Sequence, residues 1–202
     1  MMHIININIT YASLEQGIPN ITNVLFSICS DASSDYVVNK SDFQESFGHH
    51  SWLTITNLGN SSININELKI DLFETITVGT WQGEIYEGIF YNVEQYYIEK
   101  GEFSEEKSAY KTMRLNDFEL IYLISLLADS ENDTWSITNN CSSFAEKIWN
   151  KLSLIKISAG IIKCPLKLYD NILLSGGKKG LIAVSKGCEL YYCGKNPKKF
   201  KL

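Results

Sequence analysis

The feature that most constrains the fold is a series of extended segments in the first half of the chain. Residues 51–56 (SWLTIT) alternate between apolar and polar side chains with a period of two, which is typical of a strand. A polar turn at 58–61 follows, and residues 63–68 and 70–78 have a similar β-branched character. We therefore predict an antiparallel meander of three strands, with a further strand at the alternating N-terminal residues 3–11.

Helical patterns dominate the second half of the chain. Residues 117–128 follow Asn116, a typical N-cap residue, and their apolar residues recur at helical spacing. This predicted apolar face consists of Phe118, Leu120, Ile121, Ile124 and Leu127. Residues 141–152 follow Asn139 and Asn140, and they too indicate a helix. Its apolar stripe consists of Phe144, Ala145, Ile148, Trp149 and Leu152.

Two further helices are predicted from proline positions. Pro165 begins a short helix that reaches Leu174 and is ended by Ser175-Gly176-Gly177. Pro19 lies near the first turn of another predicted helix, over residues 18–29. Both positions suit proline, because the first helical turn needs no N–H donor.

The remaining segments indicate loops or short strands. Residues 30–46 are rich in Ser, Asp and Asn, which predicts a loop. Residues 79–98 combine glycines with aromatics, which predicts a structured loop across the sheet edge or cleft. Its aromatics form either core, the preferred interpretation, or a substrate wall. Residues 181–192 indicate one or two strands, within a region of strands or tail over 176–202. Since no repeat or low-complexity linker occurs, we predict one α+β domain over residues 1–202.

The composition narrows the classes of function. Hydrophobic residues make up 45% of the chain, enough for a packed core. The net charge of −5 argues against a nucleic-acid partner, and the basic residues 195–201 are interpreted as a solvated tail. No stretch approaches the roughly 18 apolar residues of a membrane span. The N-terminus has neither the basic n-region nor the long apolar run of a signal peptide. We therefore expect synthesis in the cytoplasm and no transmembrane segment.

The cysteines and histidines limit the chemistry. The five cysteines are Cys29, Cys141, Cys164, Cys188 and Cys193. They do not describe a disulfide framework; Cys188 and Cys193 are close enough to pair across a hairpin, but two free thiols are preferred. The only histidines are His3, His49 and His50, so a zinc site is a weak hypothesis. We predict no metal and no cofactor.

Cys141 is the candidate nucleophile. Polar capping residues precede it directly, which places its sulfur near the first turn of a helix. Unpaired N–H groups and the helix dipole stabilise a thiolate there, and the same N–H groups can hold an oxyanion. The alternative is a buried cysteine that acts as a small hydrophobe.

The candidate base lies in the segment Gly48-His49-His50, where a loop leads into a strand. Alternation puts the two rings on opposite faces. His50 shares a face with Trp52, whereas His49 shares one with Leu53, so the pattern alone does not choose between them. A neutral imidazole within reach of Cys141 would form the Cys–His pair of acyl-transfer enzymes. The alternative is that both are loop histidines without a catalytic role.

Five strings occur in an informative order along residues 47–175. They are Gly48…His50-Ser51-Trp52, Val78-Gly79-Thr80-Trp81, Tyr91-Asn92-Val93-Glu94, Asn140-Cys141-Ser142-Ser143-Phe144-Ala145 and Cys164-Pro165-Leu166-Lys167-Leu168. In these strings the chain resembles the permuted papain-like hydrolases of the NlpC superfamily, in which the histidine strand precedes the nucleophile helix. The resemblance implies a papain-like antiparallel sheet packed against helices, with the nucleophile at a helix N-terminus.

The resemblance also implies roles for individual residues. Cys141 matches the nucleophile and His50 the base, although the inserted His49 departs from the pattern and remains an alternative base. A third polar group usually orients the imidazole from the next strand. The candidates for that role are Asn64, Asn66, Glu74 and Thr80, and no string singles one out.

The function that the resemblance implies is cleavage of an amide bond, most often in peptidoglycan peptides. Several relatives resemble antibacterial toxins that a specialised secretion system delivers to the periplasm of a target cell and that an immunity protein neutralises. The alternatives are a lipid acyl hydrolase or acyltransferase of the same fold, and a catalytically inactive binding module. A zinc hydrolase is the least favoured alternative.

Overall fold

The computed structural model describes residues 23–33, 36–40, 43–47, 50–82, 87–136, 139–187, 189–192 and 198–200. Several predicted features lie outside these residues. They are the N-terminal strand at 3–11, His3, His49, Cys188, Cys193 and part of the basic tail.

Strands and helices of the described residues form a mixed α+β structure. In chain order the strands are β1 (Val24–Asp31), β2 (Tyr36–Lys40), β3 (Phe43–Phe47), β4 (His50–Asn57), β5 (Ile63–Ile65), β6 (Leu68–Ile70), β7 (Thr75–Gln82), β8 (Glu87–Tyr91), β9 (Ser108–Leu115), β10 (Lys178–Lys179), β11 (Leu190–Tyr192) and β12 (Lys198–Phe200). The helices are α1 (Val93–Glu99), α2 (Asp117–Leu127), α3 (Cys141–Leu152) and α4 (Pro165–Leu174). The predicted α+β class is therefore confirmed.

Eight of the strands form one antiparallel sheet in the order β10-β9-β1-β4-β7-β8-β11-β12. The pairs β2–β3 and β5–β6 form separate two-stranded sheets. At the centre, β1 pairs with β9 on one side and with β4 on the other, and β4 pairs in turn with β7. The candidate base therefore lies on a strand in the middle of the sheet.

Alternation along the central strands divides the buried side chains between the two faces of the sheet. On one face, Phe26 and Leu53 join a core that includes side chains of α2, α3 and α4. Within this core the rings of Phe26 and Trp149 stack with their centroids 5.9 Å apart. On the other face, Cys29 and Trp52 belong to a second, more aromatic core together with side chains of α1.

The predicted strand at 51–56 is confirmed as part of β4. The predicted strands at 63–68 and 70–78 are only partly correct, because the chain turns back at Asn66, whose φ is 53°. That turn pairs β5 with β6 as a short hairpin. The next strand of the main sheet begins at Thr75.

The helix predicted over 18–29 is wrong for its described part. Val24–Asp31 is instead the central strand β1, and nearly all its side chains are buried. A strand that is buried on both faces loses the alternating pattern, and the proline at the start of the segment suggested a helix instead. Pairing with neighbours on both sides, which a local pattern does not report, decides its conformation.

Two predicted loops are also wrong. Residues 30–46 contain the end of β1 and most of the hairpin β2–β3. The segment 79–98 contains the end of β7, all of β8 and most of α1. The preferred interpretation of its aromatics is confirmed, because Trp81, Phe90 and Tyr97 are buried. Strand β9 was not predicted.

The three helices predicted in the second half of the chain are confirmed, and Asn116 forms a capping box with Glu119 at the start of α2. The predicted apolar face of α2 is only partly correct: Leu120 and Leu127 are buried, but Phe118 is 84% exposed, and the unpredicted Leu123 and Leu126 are buried. None of the helices in the described part of the chain is long and apolar enough to cross a membrane.

The C-terminal region contains the short strands β10, β11 and β12, so the prediction of strands after residue 176 is confirmed. Among the described residues of 181–192, only Leu190–Tyr192 is a strand. The interpretation of 195–201 as a solvated tail is wrong for Lys198–Phe200, which pairs with β11. Lys198 and Lys199 keep exposed side chains, because a strand needs only its backbone to pair.

Substitutions on α2 distinguish the observed face from the predicted one. Leu123→Ala removes a fully buried side chain and should lower the free energy of unfolding by about 2–5 kcal/mol, because it leaves a cavity. Phe118→Ser changes an exposed ring and should alter it by about 0.5 kcal/mol or less. Urea denaturation followed by tryptophan fluorescence measures both. Equal losses would contradict the observed orientation of α2.

Candidate active site

The start of α3 is held by the side chain of Asn140. Its Oδ1 accepts hydrogen bonds from the backbone N–H groups of Ser142 and Ser143, both at 3.1 Å. This satisfies two of the four amides that the start of a helix leaves open. Cys141 is the first residue of the helix, and it is buried. The predicted position of its sulfur at the positive end of a helix is confirmed.

His50 reaches Cys141 beyond the end of the β4–β7 ladder. The last pair of that ladder is Leu53 and Val78, although β4 begins at His50. Past this pair, the backbone N–H of Ser51 donates a hydrogen bond to the Cys141 sulfur, and the His50 side chain makes another hydrogen bond with it. Where the strands no longer pair, a helix start on one face meets a ring from the other face.

A buried carboxylate orients the His50 ring. Oε1 of Glu94 lies 2.9 Å from His50 Nε2 and accepts a hydrogen bond from Trp81 Nε1 at 2.8 Å. Its Oε2 accepts the hydroxyl proton of Thr77 at 2.8 Å. Because an ionised carboxylate only accepts, His50 Nε2 donates to it. Nδ1 is then the nitrogen that can exchange a proton with Cys141.

The helix that carries Glu94 is fixed to β7 by Asn92, its N-cap. Asn92 has a left-handed backbone with φ 66°, a conformation that asparagine adopts more readily than most residues. Its backbone N–H donates to the Thr77 carbonyl at 3.0 Å, and its Oδ1 accepts the Thr77 N–H at 3.2 Å. Its Nδ2 donates to the Glu189 carbonyl at 3.0 Å. These bonds place Glu94 over β7, beside His50.

Gly79 leaves the space in which His50 and Glu94 meet. A Cβ atom at this position would overlap Oε1 of Glu94 and lie 3.2 Å from His50 Nε2. Because Glu94 is fully buried, water cannot replace the hydrogen bonds that its carboxylate would lose by moving away. Two residues later, Trp81 stacks on His50 with the ring centroids 3.9 Å apart. The string Val78-Gly79-Thr80-Trp81 therefore supplies both the gap and one wall of the histidine site.

None of the four predicted candidates occupies the third position. Asn64 and Asn66 are exposed, and Oε2 of Glu74 accepts the Asp71 backbone N–H. Thr80 lies between Gly79 and Trp81 on the strand, so its side chain points to the opposite face. Glu94 was missed because α1 was predicted as a loop. Its string, Tyr91-Asn92-Val93-Glu94, was the signal that could have found it.

The two reactive groups stabilise each other as an ion pair. Burial alone would lower the pKa of His50, but the Cys141 thiolate, its hydrogen bond and Glu94 raise that pKa to about 10. Burial alone would raise the pKa of Cys141, but the positive charge of His50, the hydrogen bond between them and the Ser51 backbone N–H lower it. Both shifts favour a thiolate beside an imidazolium.

Three buried serine hydroxyls connect the site to α4. The Ser142 hydroxyl lies 4.0 Å from the Cys141 sulfur and 3.1 Å from the Ser51 hydroxyl. Ser51 in turn lies 2.9 Å from the hydroxyl of Ser30, which donates to the Pro165 carbonyl at 2.8 Å. This series of hydroxyls connects the starts of α3 and α4 to the end of β1 and the adjacent start of β4.

Other thiols of the described residues lack this environment. Burial raises the pKa of Cys29, so it remains a thiol, and Cys164 is the N-cap of α4 without a side-chain capping bond. In the described part of the chain, no group of three or more His, Cys, Asp and Glu side chains could hold a metal ion. Only Cys141 therefore combines a lowered pKa with a hydrogen-bonded imidazole among the cysteines that are described.

No protein-family model, curated protein or solved structure matches the chain significantly. The chemistry of the site is therefore inferred from the contacts of Cys141, His50 and Glu94, together with the order of the short strings that contain them.

Gly79→Ala should shift the ionisation of Cys141. By displacing Glu94 from His50, the methyl group removes support for the imidazolium, so the pKa of His50 falls and that of Cys141 rises. Alkylation of Cys141 by iodoacetamide follows the thiolate and should move to higher pH by about one unit, equivalent to ~1.4 kcal/mol. Peptide mass spectrometry across a pH series measures the profile.

The matched control for this experiment is Gly101→Ala. Gly101 has φ 73° and open space around it, so alanine there strains the backbone without touching the site. It should lower stability but leave the alkylation profile in place. If both variants shift the profile equally, the role of Gly79 in holding the His50–Glu94 pair is wrong.

Proposed function

We propose that the protein is a thiol-dependent hydrolase of the permuted papain-like, NlpC type. The observation that carries the proposal is the buried, hydrogen-bonded chain Cys141–His50–Glu94. The order of its parts supports it, because the histidine strand β4 precedes the nucleophile helix α3 in the sequence. Perturbed ionisation of a buried pair is also more frequent at functional sites than elsewhere.

In the proposed mechanism the thiolate of Cys141 attacks the carbonyl carbon of an amide. The C–S bond forms as the carbonyl π electrons move to oxygen, and His50 then donates its Nδ1 proton to the leaving nitrogen as the C–N bond breaks. Water next attacks the thioester with the same imidazole as base, and the acid product leaves as the thiolate returns. Glu94 holds the ring in one orientation throughout.

In the proposed mechanism, a backbone N–H group at the start of α3 holds the oxyanion of the tetrahedral intermediate. The amides of Ser142 and Ser143 already donate to Asn140, so they are less suited to a new acceptor. The backbone N–H of Cys141 itself is not taken by the cap. We therefore assign the oxyanion to the Cys141 N–H, where the helix dipole adds to the hydrogen bond.

The first proposed substrate class is the amide bonds of peptidoglycan peptides, which the resemblance implies. In this proposal the protein is an antibacterial toxin, made in the cytoplasm and exported by a specialised secretion system into the periplasm of a target cell. An immunity protein is then its partner in the producing cell. Two outcomes would contradict this proposal: a base at His49 instead of His50, and a site without any activity.

The second candidate is a lipid acyl hydrolase or acyltransferase. One observation favours it: the loop between α3 and α4, next to the start of α3, exposes several large apolar side chains. Digestion of purified cell-wall sacculi, compared with release of fatty acid from phospholipid vesicles, separates the two substrate classes.

Cys141→Ala should lower turnover of whichever substrate is cleaved by about 10⁴-fold or more, since it removes the sulfur that forms the acyl-enzyme. Its thermal unfolding should change little, because one sulfur atom is removed from a site that remains capped. The matched control, Cys164→Ser, alters a half-buried thiol at the start of α4 and should retain activity. Hydrolysis that persists in Cys141→Ala would exclude the mechanism.

Glu94→Gln tests the positioning role. The amide keeps the size of the side chain but removes the negative charge beside the imidazolium, so kcat should fall by about 100-fold or more. The pKa of His50 should fall and that of Cys141 rise, so the pH profile of kcat/KM should narrow from both sides. Glu99→Gln, at the exposed end of the same helix, is the control. If Glu94 had only a structural role, its substitution would lower stability without narrowing the pH profile of kcat/KM.

A further inference from the structure

The segment around the loop between α3 and α4 differs in charge from the rest of the chain. Although the protein has a net charge of −5, residues 151–167 contain four lysines and no aspartate or glutamate. The lysines are Lys151, Lys156, Lys163 and Lys167. We name residues 153–164, between the two helices, the interhelical loop.

The interhelical loop also exposes large apolar side chains. Leu154, Ile161 and Ile162 are each at least 82% exposed, and Ile155 is 51% exposed. Leu166, at the start of α4, is 46% exposed and extends the same stretch. Single exposed apolar residues are ordinary, but several on one short segment mark an interaction surface.

These side chains are held outward by an ordered backbone. The Ile157 N–H donates to Asn150 Oδ1, and Asn150 Nδ2 donates back to the Ile157 carbonyl, both at 2.9 Å. Trp149 Nε1 donates to the Ile155 carbonyl at 2.9 Å, and the Ala159 N–H donates to Glu146 Oε2 at 2.6 Å. Because α3 fixes the loop in this way, the exposure of its apolar residues belongs to the folded structure.

The interhelical loop ends beside the candidate nucleophile. Asn140, which caps α3 through its Oδ1, donates from its Nδ2 to the Lys163 carbonyl at 2.9 Å. One side chain thus joins the residue before Cys141 to the residue after Ile162. A surface that binds Ile161 and Ile162 therefore lies near the start of α3.

We propose that the interhelical loop docks the protein on an anionic lipid bilayer, with the start of α3 close to the membrane surface. Apolar side chains flanked by lysines enter the boundary between headgroups and acyl chains, while the lysines contact lipid phosphates. Lys163 pairs with Glu146 at 2.7 Å, and Lys156 Nζ donates to the carbonyls of Asn150 and Ser153. The phosphate contacts are therefore assigned to Lys151 and Lys167. Repulsion between the lysines disfavours the same surface as a contact between two copies of the chain.

The docking goes beyond the proposed hydrolysis and is tested without it. Full-length Cys141→Ala protein, which cannot turn over substrate, is mixed with vesicles of phosphatidylcholine alone or with added phosphatidylglycerol, and binding is measured by flotation. Binding should require phosphatidylglycerol and weaken as salt is added, because the lysine contacts are screened. The double substitution Ile161→Ser and Ile162→Ser should weaken binding by roughly tenfold or more.

Phe118→Ser is the matched control, since it removes an equally exposed apolar side chain from α2. It should leave vesicle binding unchanged. Failure of the parent protein to bind anionic vesicles would overturn the docking proposal, as would binding that survives the double substitution. A salt-insensitive dimer that the double substitution abolishes would instead assign the loop to a second copy. Thiol-dependent hydrolysis is measured separately, with the protein that retains Cys141. The docking proposal and the hydrolase proposal can therefore fail independently.

Discussion

The site depends on the burial of two opposite charges that must each keep their partners. A thiolate at Cys141 and an imidazolium at His50 are almost excluded from water, where an isolated charge would be far less stable than its neutral form. The Ser51 N–H and the end of α3 support the negative charge, and Glu94 supports the positive one. Loss of any one of these partners shifts the pKa of both groups, because they titrate together.

The sheet makes this arrangement geometrically feasible. Cys141 belongs to the helices on one face, and Glu94 belongs to α1 on the other, so an intact sheet would separate them. The β4–β7 ladder stops at Leu53 and Val78, and the groups meet beyond its last pair. Gly79 then leaves room for the carboxylate. In the docking proposal, the helix start that carries Cys141 also faces the membrane surface.

Where sequence-based prediction succeeded, the interactions were local. Asn140 caps α3 and Asn116 caps α2 through contacts within a few residues, and both helices were predicted with nearly correct bounds. Prediction failed where distant partners decide the conformation. Val24–Asp31 is a strand because β4 and β9 lie on either side of it, and α1 is ordered where Asn92 bonds to Thr77 and Glu189. The error at α1 hid Glu94.

By itself, the sequence determined that a cysteine would begin a capped helix and that a histidine would begin a strand. Both follow from interactions between near neighbours. Only the tertiary structure decided that His50 contacts Cys141, that Glu94 orients it, and that the apolar residues of the interhelical loop remain exposed. The physical reason is that these contacts join residues far apart in the chain. They form only when the sheet and helices pack, and no local periodicity encodes which side chains then meet.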